Sequence, residues 1–174
     1  MVRYVHHQLA TIVEAGVAMA FAAPVVFGVR GLPRAESDKV LSLLGILGIS
    51  TLFGLLAISV RSHWLGGEKR YLESVVPLTD PKATLPAPRE SMRRSFDGSF
   101  VVFVALSSLV FGLLYDPWAI GWAVVFIPER IVKGVYMSSW ERRHGVLVWC
   151  GKVEEQPLGK GQFLYSSARN TTPG

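Results

Sequence analysis

The sequence predicts an all-α membrane protein in which four transmembrane helices form two hairpins and both the N-terminus and the C-terminus are cytoplasmic. Two uncharged stretches carry this prediction, because Val40–Val60 and Gly98–Tyr115 contain no Asp, Glu, Lys or Arg. As helices, both are long enough to cross a hydrocarbon core of about 30 Å. The composition agrees, since only 18% of the 174 residues are charged, against about 25% in soluble proteins.

The first predicted helix, at about residues 9–29, is apolar except for Glu14. The small residues Ala20–Ala23 would also fit the cleavage site of a signal peptide, which is the competing interpretation. A carboxylate within the apolar region argues against a signal peptide. We therefore expect an uncleaved helix that leads through a short turn into the second helix.

The fourth predicted helix, at about residues 117–138, begins with a strong start signal. Asp116 is a good N-cap residue, and Pro117 is favoured at the first helical position. Only about a dozen uncharged residues follow before Glu129. Length alone would therefore also permit a re-entrant segment.

The distribution of basic residues distinguishes four spans from three. Of the 18 lysines and arginines, only Arg30, Arg34 and Lys39 fall in the predicted outer loops, whereas the central loop and the tail are strongly basic. With three spans the basic tail would lie outside, contrary to the positive-inside rule. Four spans place both termini and the central loop in the cytoplasm.

The predicted domain organisation is two transmembrane hairpins joined by a cytoplasmic loop. The segments are a first hairpin at 1–60 with helices at about 9–29 and 40–60, a basic Pro-containing loop at 61–97, a second hairpin at 98–140 with helices at about 98–115 and 117–138, and a cytoplasmic tail at 141–174.

The loop and the tail give weaker signals. Val76–Pro88 contains four prolines and no helical periodicity, which predicts an extended linker. In the tail, Val146–Cys150 and Gln162–Tyr165 are predicted to form short strands. Two short strands alone are marginally stable, so an ordered tail would need a partner or the membrane surface.

Four charged residues, Glu14, Glu129, Arg130 and Lys133, form a candidate intramembrane polar cluster. At the helical rise of about 1.5 Å per residue, Glu14 lies about 7 Å from the inner boundary, while Arg130 and Lys133 lie about 20 Å and 24 Å from the outer one. All three therefore reach one layer of a core about 30 Å thick. Because a charged group inside a span usually faces protein or water, we expect Glu14 to pair with Arg130 or Lys133.

The charged part of the fourth helix has two interpretations. Glu129 and Lys133 have the spacing of an i,i+4 ion pair, and Pro128 removes a helical donor, so a kink could open a polar site inward. Alternatively, the apolar span ends early and the side chains of Arg130 and Lys133 reach to the inner surface. Their position near the boundary favours the second interpretation.

The sequence contains no motif that predicts catalysis, and we expect no cofactor and no metal site. The four histidines, His6, His7, His63 and His144, map to the cytoplasmic side but lack the spacing of paired metal or haem ligands. The chain has no GxSxG motif. A single cysteine, Cys150, excludes an internal disulfide.

These observations predict a non-catalytic subunit or accessory factor of a complex in the cytoplasmic (inner) membrane of a bacterial-type cell. The net charge of +5 is typical of a basic cytoplasmic face, so we expect no nucleic-acid partner. The expected partners are the lipid bilayer and other proteins or further copies of the chain. The alternative is a small oligomeric proton-coupled transporter or channel that uses Glu14; a membrane-embedded enzyme has the least support.

Helix association is predicted from small residues. Gly16 and Ala20, and likewise Ser50 and Gly54, are spaced so that two helix backbones can approach closely in lipid. This spacing serves packing within one chain as well as self-association or contact with a partner, and we favour packing within the chain.

Overall fold

The chain is mostly helical, with short strands near its N-terminus, in its middle and near its C-terminus. A computed structural model describes residues 1–34, 36–59, 68–159 and 162–169. The helices are α1 Tyr4–Arg30, α2 Ser37–Ser59, α3 Glu68–Glu73, α4 Pro81–Thr84, α5 Pro88–Arg94, α6 Gly98–Leu114, a 3-10 helix Pro117–Val125, and α7 Phe126–His144. The strands are β1 Val2–Arg3, β2 Val76–Pro77, β3 Val146–Cys150 and β4 Leu164–Ala168.

Among the described residues, α1 and α2 are each long and apolar enough to cross a membrane. A third candidate is the pair formed by α5 and α6, which is bent by 42°. Two to three helices are therefore apolar enough to span, which is consistent with a membrane protein. Residues 60–67, which include His63 and the end of the predicted second helix, lie outside the described residues, as do 160–161 and 170–174 of the predicted tail.

The described chain forms two compact units. We call the one made of Thr11–Gly54 and Asp97–Arg130 the helical unit. The other, which we call the sheet unit, is made of Met1–Ala10, Leu55–Phe96 and Ile131–Gly174.

Small residues of α1 form the centre of the helical unit. Ala15, Ala18, Ala22 and Val26 follow one another at intervals of three and four residues, and each is at most 1% exposed. This spacing puts them on one face of the helix, where small side chains permit close approach of a neighbour. They pack against Val104 of α6 and against Ala123 and Ile120 of the 3-10 helix.

Large apolar side chains cover the outside of the same unit. Phe21 and Val29 of α1 and Leu41 and Ile49 of α2 are each at least 70% exposed. A surface of this kind is costly in water and ordinary in a bilayer, where lipid chains are as apolar as leucine. Gly16 and Ala20 also lie on an exposed face, whereas Ser50 and Gly54 are buried within the chain.

A four-stranded sheet, counted over the described residues, organises the sheet unit. Its strand order is β1-β3-β4-β2; β3 pairs antiparallel with both β1 and β4, and β2 pairs parallel with β4. Leu147 and Trp149 of β3 pack on one face with Leu78 and Leu85 of the central loop. Val148, between them, packs on the other face with Met137 of α7 and Leu72 of α3.

The sheet corrects the prediction of an all-α fold. The strand Val146–Cys150 is confirmed, and its partner is at Leu164–Ala168, two residues later than predicted. The expectation that the tail strands need a partner or a membrane surface for order is wrong, because β1 and β2 complete the sheet from within the chain. Both faces of β3 are covered, which accounts for its nearly continuous burial.

The predicted extended linker Val76–Pro88 is also only partly correct. Its first two residues form β2, but Pro81–Thr84 is a short helix. Asp80 caps this helix by accepting a hydrogen bond from the backbone N–H of Ala83 at 3.2 Å, and Pro81 occupies the first turn, where its missing N–H has no cost. The prolines therefore start helices here as well as interrupting them.

Candidate functional site

Glu14 is buried in the helical unit, with 3% of its surface exposed. Its Oε1 accepts a hydrogen bond from the backbone N–H of Asp97. Asp97 is the N-cap of α6, and its own carboxylate accepts hydrogen bonds from the backbone N–H of Ser99 at 3.0 Å and from the Ser99 hydroxyl at 2.6 Å. The positive end of a helix dipole favours an anion at this position. The contact therefore stabilises an acid in an otherwise apolar helix.

The other three residues of the predicted cluster lie on α7. Glu129 is in the first turn of this helix, and it belongs with Arg130 to the helical unit, whereas Lys133 belongs to the sheet unit. All three take part in polar or electrostatic interactions. The ion pair of Glu14 with Arg130 or Lys133 stays a prediction; the contact described above is with the Asp97 amide.

Pro128 stands where the helix type changes. The segment predicted as a fourth helix consists of the 3-10 helix Pro117–Val125 followed by α7, which begins at Phe126. Pro128 therefore lies in the first turn of α7, directly after the 3-10 helix, so its missing N–H leaves the preceding turn without one helical donor. The helix type changes in the turn before Pro128, which is the turn that a proline disturbs, and the predicted kink stays a prediction.

The connection between α1 and α2 and the connection between α6 and the 3-10 helix are bound to each other. Lys39 Nζ donates to Asp116 Oδ2 at 2.9 Å, Arg30 Nη2 donates to the carbonyl of Tyr115 at 3.2 Å, and the indole N–H of Trp118 donates to the carbonyl of Arg34 at 3.0 Å. Each of the three basic residues of the predicted outer loops thus contributes a side-chain or backbone group to this junction.

Asp116 also caps the 3-10 helix, as its position before Pro117 predicts. Its carboxylate accepts a hydrogen bond from the backbone N–H of Trp118 at 2.9 Å. This hydrogen bond, together with the one from the Lys39 ammonium, lowers the pKa of the Asp116 carboxyl. The carboxylate is consequently ionised over a wide pH range and holds the two connections together.

The sheet unit contains a second buried carboxylate, Glu141, which is 2% exposed. Two nitrogen atoms of Arg3 donate hydrogen bonds to this carboxylate. Nε donates to Oε1 at 3.4 Å, and Nη2 donates to Oε2. The backbone N–H of Val148 also donates to Oε1, at 2.9 Å. Glu141 therefore ties the first residues of the chain to α7 and to β3.

Ser91 of α5 also contacts the N-terminal residues of the chain. Its fully buried hydroxyl accepts a hydrogen bond from the backbone N–H of Arg3 at 2.8 Å and lies 3.1 Å from Nδ1 of His6. A serine–histidine contact can activate a nucleophile, but this oxygen is shielded from solvent and already accepts the Arg3 hydrogen bond. Its geometry is that of a structural contact.

Of the described histidines, His6 and His7 are neighbours in α1 and His144 is the last residue of α7, and all three belong to the sheet unit. The His144 ring stacks on Trp140, with centroids 4.1 Å apart, and its Nδ1 lies 2.9 Å from the Trp140 carbonyl. Over the described ranges, which omit His63, no group of three His, Cys, Asp or Glu side chains is arranged to hold a metal ion.

Sequence reasoning missed the Arg3–Glu141 contact and the Glu14–Asp97 contact. Glu141 stands among cations near the end of a helix, and Arg3 is one of many basic residues, so no local pattern marks either as buried. Asp97 is recognisable in the sequence as an N-cap residue before Gly98. That pattern does not show which side chain accepts a hydrogen bond from the backbone N–H of Asp97.

The fold therefore defines a mostly helical chain with two to three helices that are apolar enough to cross a membrane. No protein-family description, no curated protein and no solved structure matches this chain.

Proposed function

We propose that the chain is a four-span protein of the cytoplasmic membrane of a bacterial-type cell, and that it serves as a non-catalytic subunit or accessory factor of a membrane complex. Both termini and the central loop are cytoplasmic in this proposal. The observation that carries it is the sheet, whose strands come from the N-terminus, the central loop and the tail.

The sheet supports an even number of crossings on each side of the central loop. Strands that share hydrogen bonds must lie in one aqueous compartment. β1 precedes α1, β2 follows α2, and β3 follows α7, so the chain has to return to the starting side before β2 and again before β3. Two crossings by α1 and α2, and two by α6 and the segment that follows it, meet this requirement and agree with the positive-inside rule.

The sheet unit also supports a binding role. Leu147, Trp149 and Tyr165 belong to an apolar core within the unit, so its described residues present a folded surface. Arg70 and Lys152 are exposed on it. We propose that this surface contacts an acidic surface of the partner, because complementary charge gives both orientation and fast association.

The contact of Glu14 favours the subunit over the transporter. A proton-coupling carboxylate has to exchange protons with water during the transport cycle. Glu14 instead accepts a hydrogen bond from the Asp97 backbone, and little of its surface is exposed. This arrangement supports a structural role, so the transporter is the second candidate.

Purification of the tagged chain in a mild detergent tests the proposal. We expect a partner at fixed stoichiometry, and we expect each of the single variants Arg70→Glu and Lys152→Glu to retain less of it. Arg34→Glu is the matched control, because it makes the same change of charge at the predicted outer turn and should retain the partner. A chain that purifies without a partner and conducts protons in liposomes, with flux abolished in Glu14→Gln, would establish the transporter instead.

A further inference from the structure

A small polar pocket of the sheet unit is lined by three arginines, counted over the described residues. Its volume is about 240 Å³, and its lining residues are Arg3, Ser138, Glu141, Arg142, Leu147 and Arg169. The lining contains three guanidinium groups and one carboxylate, so these side chains carry a net charge of +2. The arginines come from β1, from α7 and from the residue after β4, so the pocket exists only when the sheet has formed.

The carboxylate in the lining does not neutralise the pocket as a whole. Both oxygens of Glu141 already accept hydrogen bonds, from Arg3 and from the backbone N–H of Val148. These contacts use two of the five N–H donors of the Arg3 guanidinium. Glu141 is therefore a positioning residue, which fixes the direction of Arg3.

The other two arginines extend from anchored backbone. The backbone N–H of Arg169 donates to the carbonyl of Gly145 at 3.1 Å, and Gly145 has the positive φ of 66° that allows the chain to turn from α7 into β3. Arg142 Nη2 lies 3.4 Å from the hydroxyl of Ser138, which is longer than a strong hydrogen bond. The contact with Ser138 therefore stabilises the position of the Arg142 guanidinium only weakly.

We propose that this pocket binds a phosphate group, carried by a phospholipid headgroup or by a small soluble phosphate compound. Guanidinium groups match phosphate oxygens with paired hydrogen bonds, which makes arginine the preferred residue for this recognition. The volume is below the range of about 300–1,000 Å³ that is usual for drug-sized ligands, so it fits a compact anion. The site goes beyond the proposed function and does not depend on it.

The experiment uses the purified full chain in a neutral detergent and isothermal titration with three probes. The probes are inorganic phosphate, dioctanoyl phosphatidic acid and dioctanoyl phosphatidylcholine. The variants are Arg142→Gln, Arg169→Gln and the double variant. Arg143→Gln is the matched control, because Arg143 is the exposed neighbour of Arg142 and is not part of the pocket lining.

We expect saturable binding of a phosphate probe by the unmodified chain. Each pocket variant should weaken binding about tenfold, the effect of one charge-assisted hydrogen bond, while Arg143→Gln should change the Kd less than about twofold. Arg142→Lys keeps the charge but loses the paired geometry, so it should weaken binding by an intermediate factor. This conservative variant carries the test if a glutamine variant fails to fold.

The probes separate the two sources of phosphate. Phosphatidic acid that binds much more tightly than both phosphate and phosphatidylcholine would identify a lipid headgroup, whereas equal affinity for phosphatidic acid and inorganic phosphate would identify a soluble compound. The proposal is overturned if neither phosphate nor phosphatidic acid binds saturably. It is also overturned if Arg143→Gln weakens binding as much as Arg142→Gln, because the attraction is then diffuse.

Discussion

Two buried carboxylates, Glu14 and Glu141, illustrate how single residues hold distant parts of this chain. Glu14 accepts a hydrogen bond from the backbone N–H of Asp97. Glu141 accepts hydrogen bonds from the backbone N–H of Val148 and from the guanidinium of Arg3. In both cases a backbone N–H donates to a buried carboxyl oxygen, which would be costly to bury without a hydrogen-bond partner. Both acids therefore have a structural explanation.

Substitution of Glu14 separates the role of its hydrogen bond from the role of its charge. Glu14→Ala should lower the free energy of unfolding by about 1–3 kcal/mol, because the partly buried N–H of Asp97 loses its acceptor. Glu14→Gln keeps an amide oxygen at the same place, so its loss should be the smaller one. Thermal unfolding in detergent measures both changes. Equal losses would show that the charge itself matters, as an ion pair with Arg130 or Lys133 requires.

Asp116 makes the stability of the helical unit depend on pH. Because its folded-state pKa is lowered by the Trp118 N–H and by Lys39, its contribution is fully present above about pH 4, near the unfolded value. The contribution is lost as the pH falls through the folded pKa. Asp116→Asn should therefore lower the Tm at pH 7, since asparagine keeps the cap but not the charge, and the difference from the unmodified chain should vanish at low pH.

The control for this titration is Asp38→Asn, an acid in the first turn of α2 whose contact is the neighbouring Ser37 hydroxyl. A smaller Tm difference is expected for it at pH 7. A difference for Asp116→Asn that persists unchanged at low pH would assign the effect to shape rather than to charge.

At the scale of elements, Gly112 sets how closely α6 packs in the helical unit. A Cβ atom at this position would lie 2.9 Å from Ile120 Cγ1 and 2.9 Å from Val26 Cγ2. Side chains of α1 and of the 3-10 helix therefore occupy the space that alanine would need. The nine-residue 3-10 helix is unusually long, and Ile120 is one of the residues through which it packs.

Gly112→Ala should lower the free energy of unfolding by about 1–3 kcal/mol, the usual cost of overpacking. Gly45→Ala on α2 is the control, because nothing lies within 4 Å of its added Cβ, and alanine is the better helix former by about 1 kcal/mol. Thermal unfolding of the two variants in the same detergent compares them. A control that loses as much stability as Gly112→Ala would refute this packing.

The long apolar helices and β3 can be predicted from the sequence, whereas β1 and β2 cannot, and the difference has a physical cause. Long apolar helices are readable because their length and composition are local properties, and β3 is readable because Val, Leu and Trp in a short run favour a strand. The two-residue strands β1 and β2 have no periodicity to read. Their order comes from pairing with residues that are distant in the chain.

The segment Pro117–Val125 shows the same limit in a helix. Its N-cap was readable, because Asp116 and Pro117 are local signals. Whether the helix that follows is 3-10 or α depends on its packing against α6, and a run of apolar residues is compatible with both. The cap was therefore predictable, and the type of helix was not.

At the scale of the whole molecule, two independent observations support one topology. Most of the 18 basic side chains lie in the N-terminal segment, the central loop and the tail, and the same three segments supply the strands of one sheet. The first observation concerns charge and the second concerns hydrogen bonding. Four crossings satisfy both.

The most direct measurement is compartment-specific labelling of single cysteines in a Cys150→Ser background, using an impermeant maleimide on oriented vesicles. Probe sites are Leu32→Cys and Tyr115→Cys at the predicted outer turns, and Arg89→Cys and Glu155→Cys in the central loop and the tail; all four residues are exposed. We predict that the cysteines at positions 32 and 115 are labelled from outside, and that those at positions 89 and 155 are labelled only after the vesicles are permeabilised. Labelling of 89 and 155 from opposite sides would contradict it, because the sheet could not then form in one compartment.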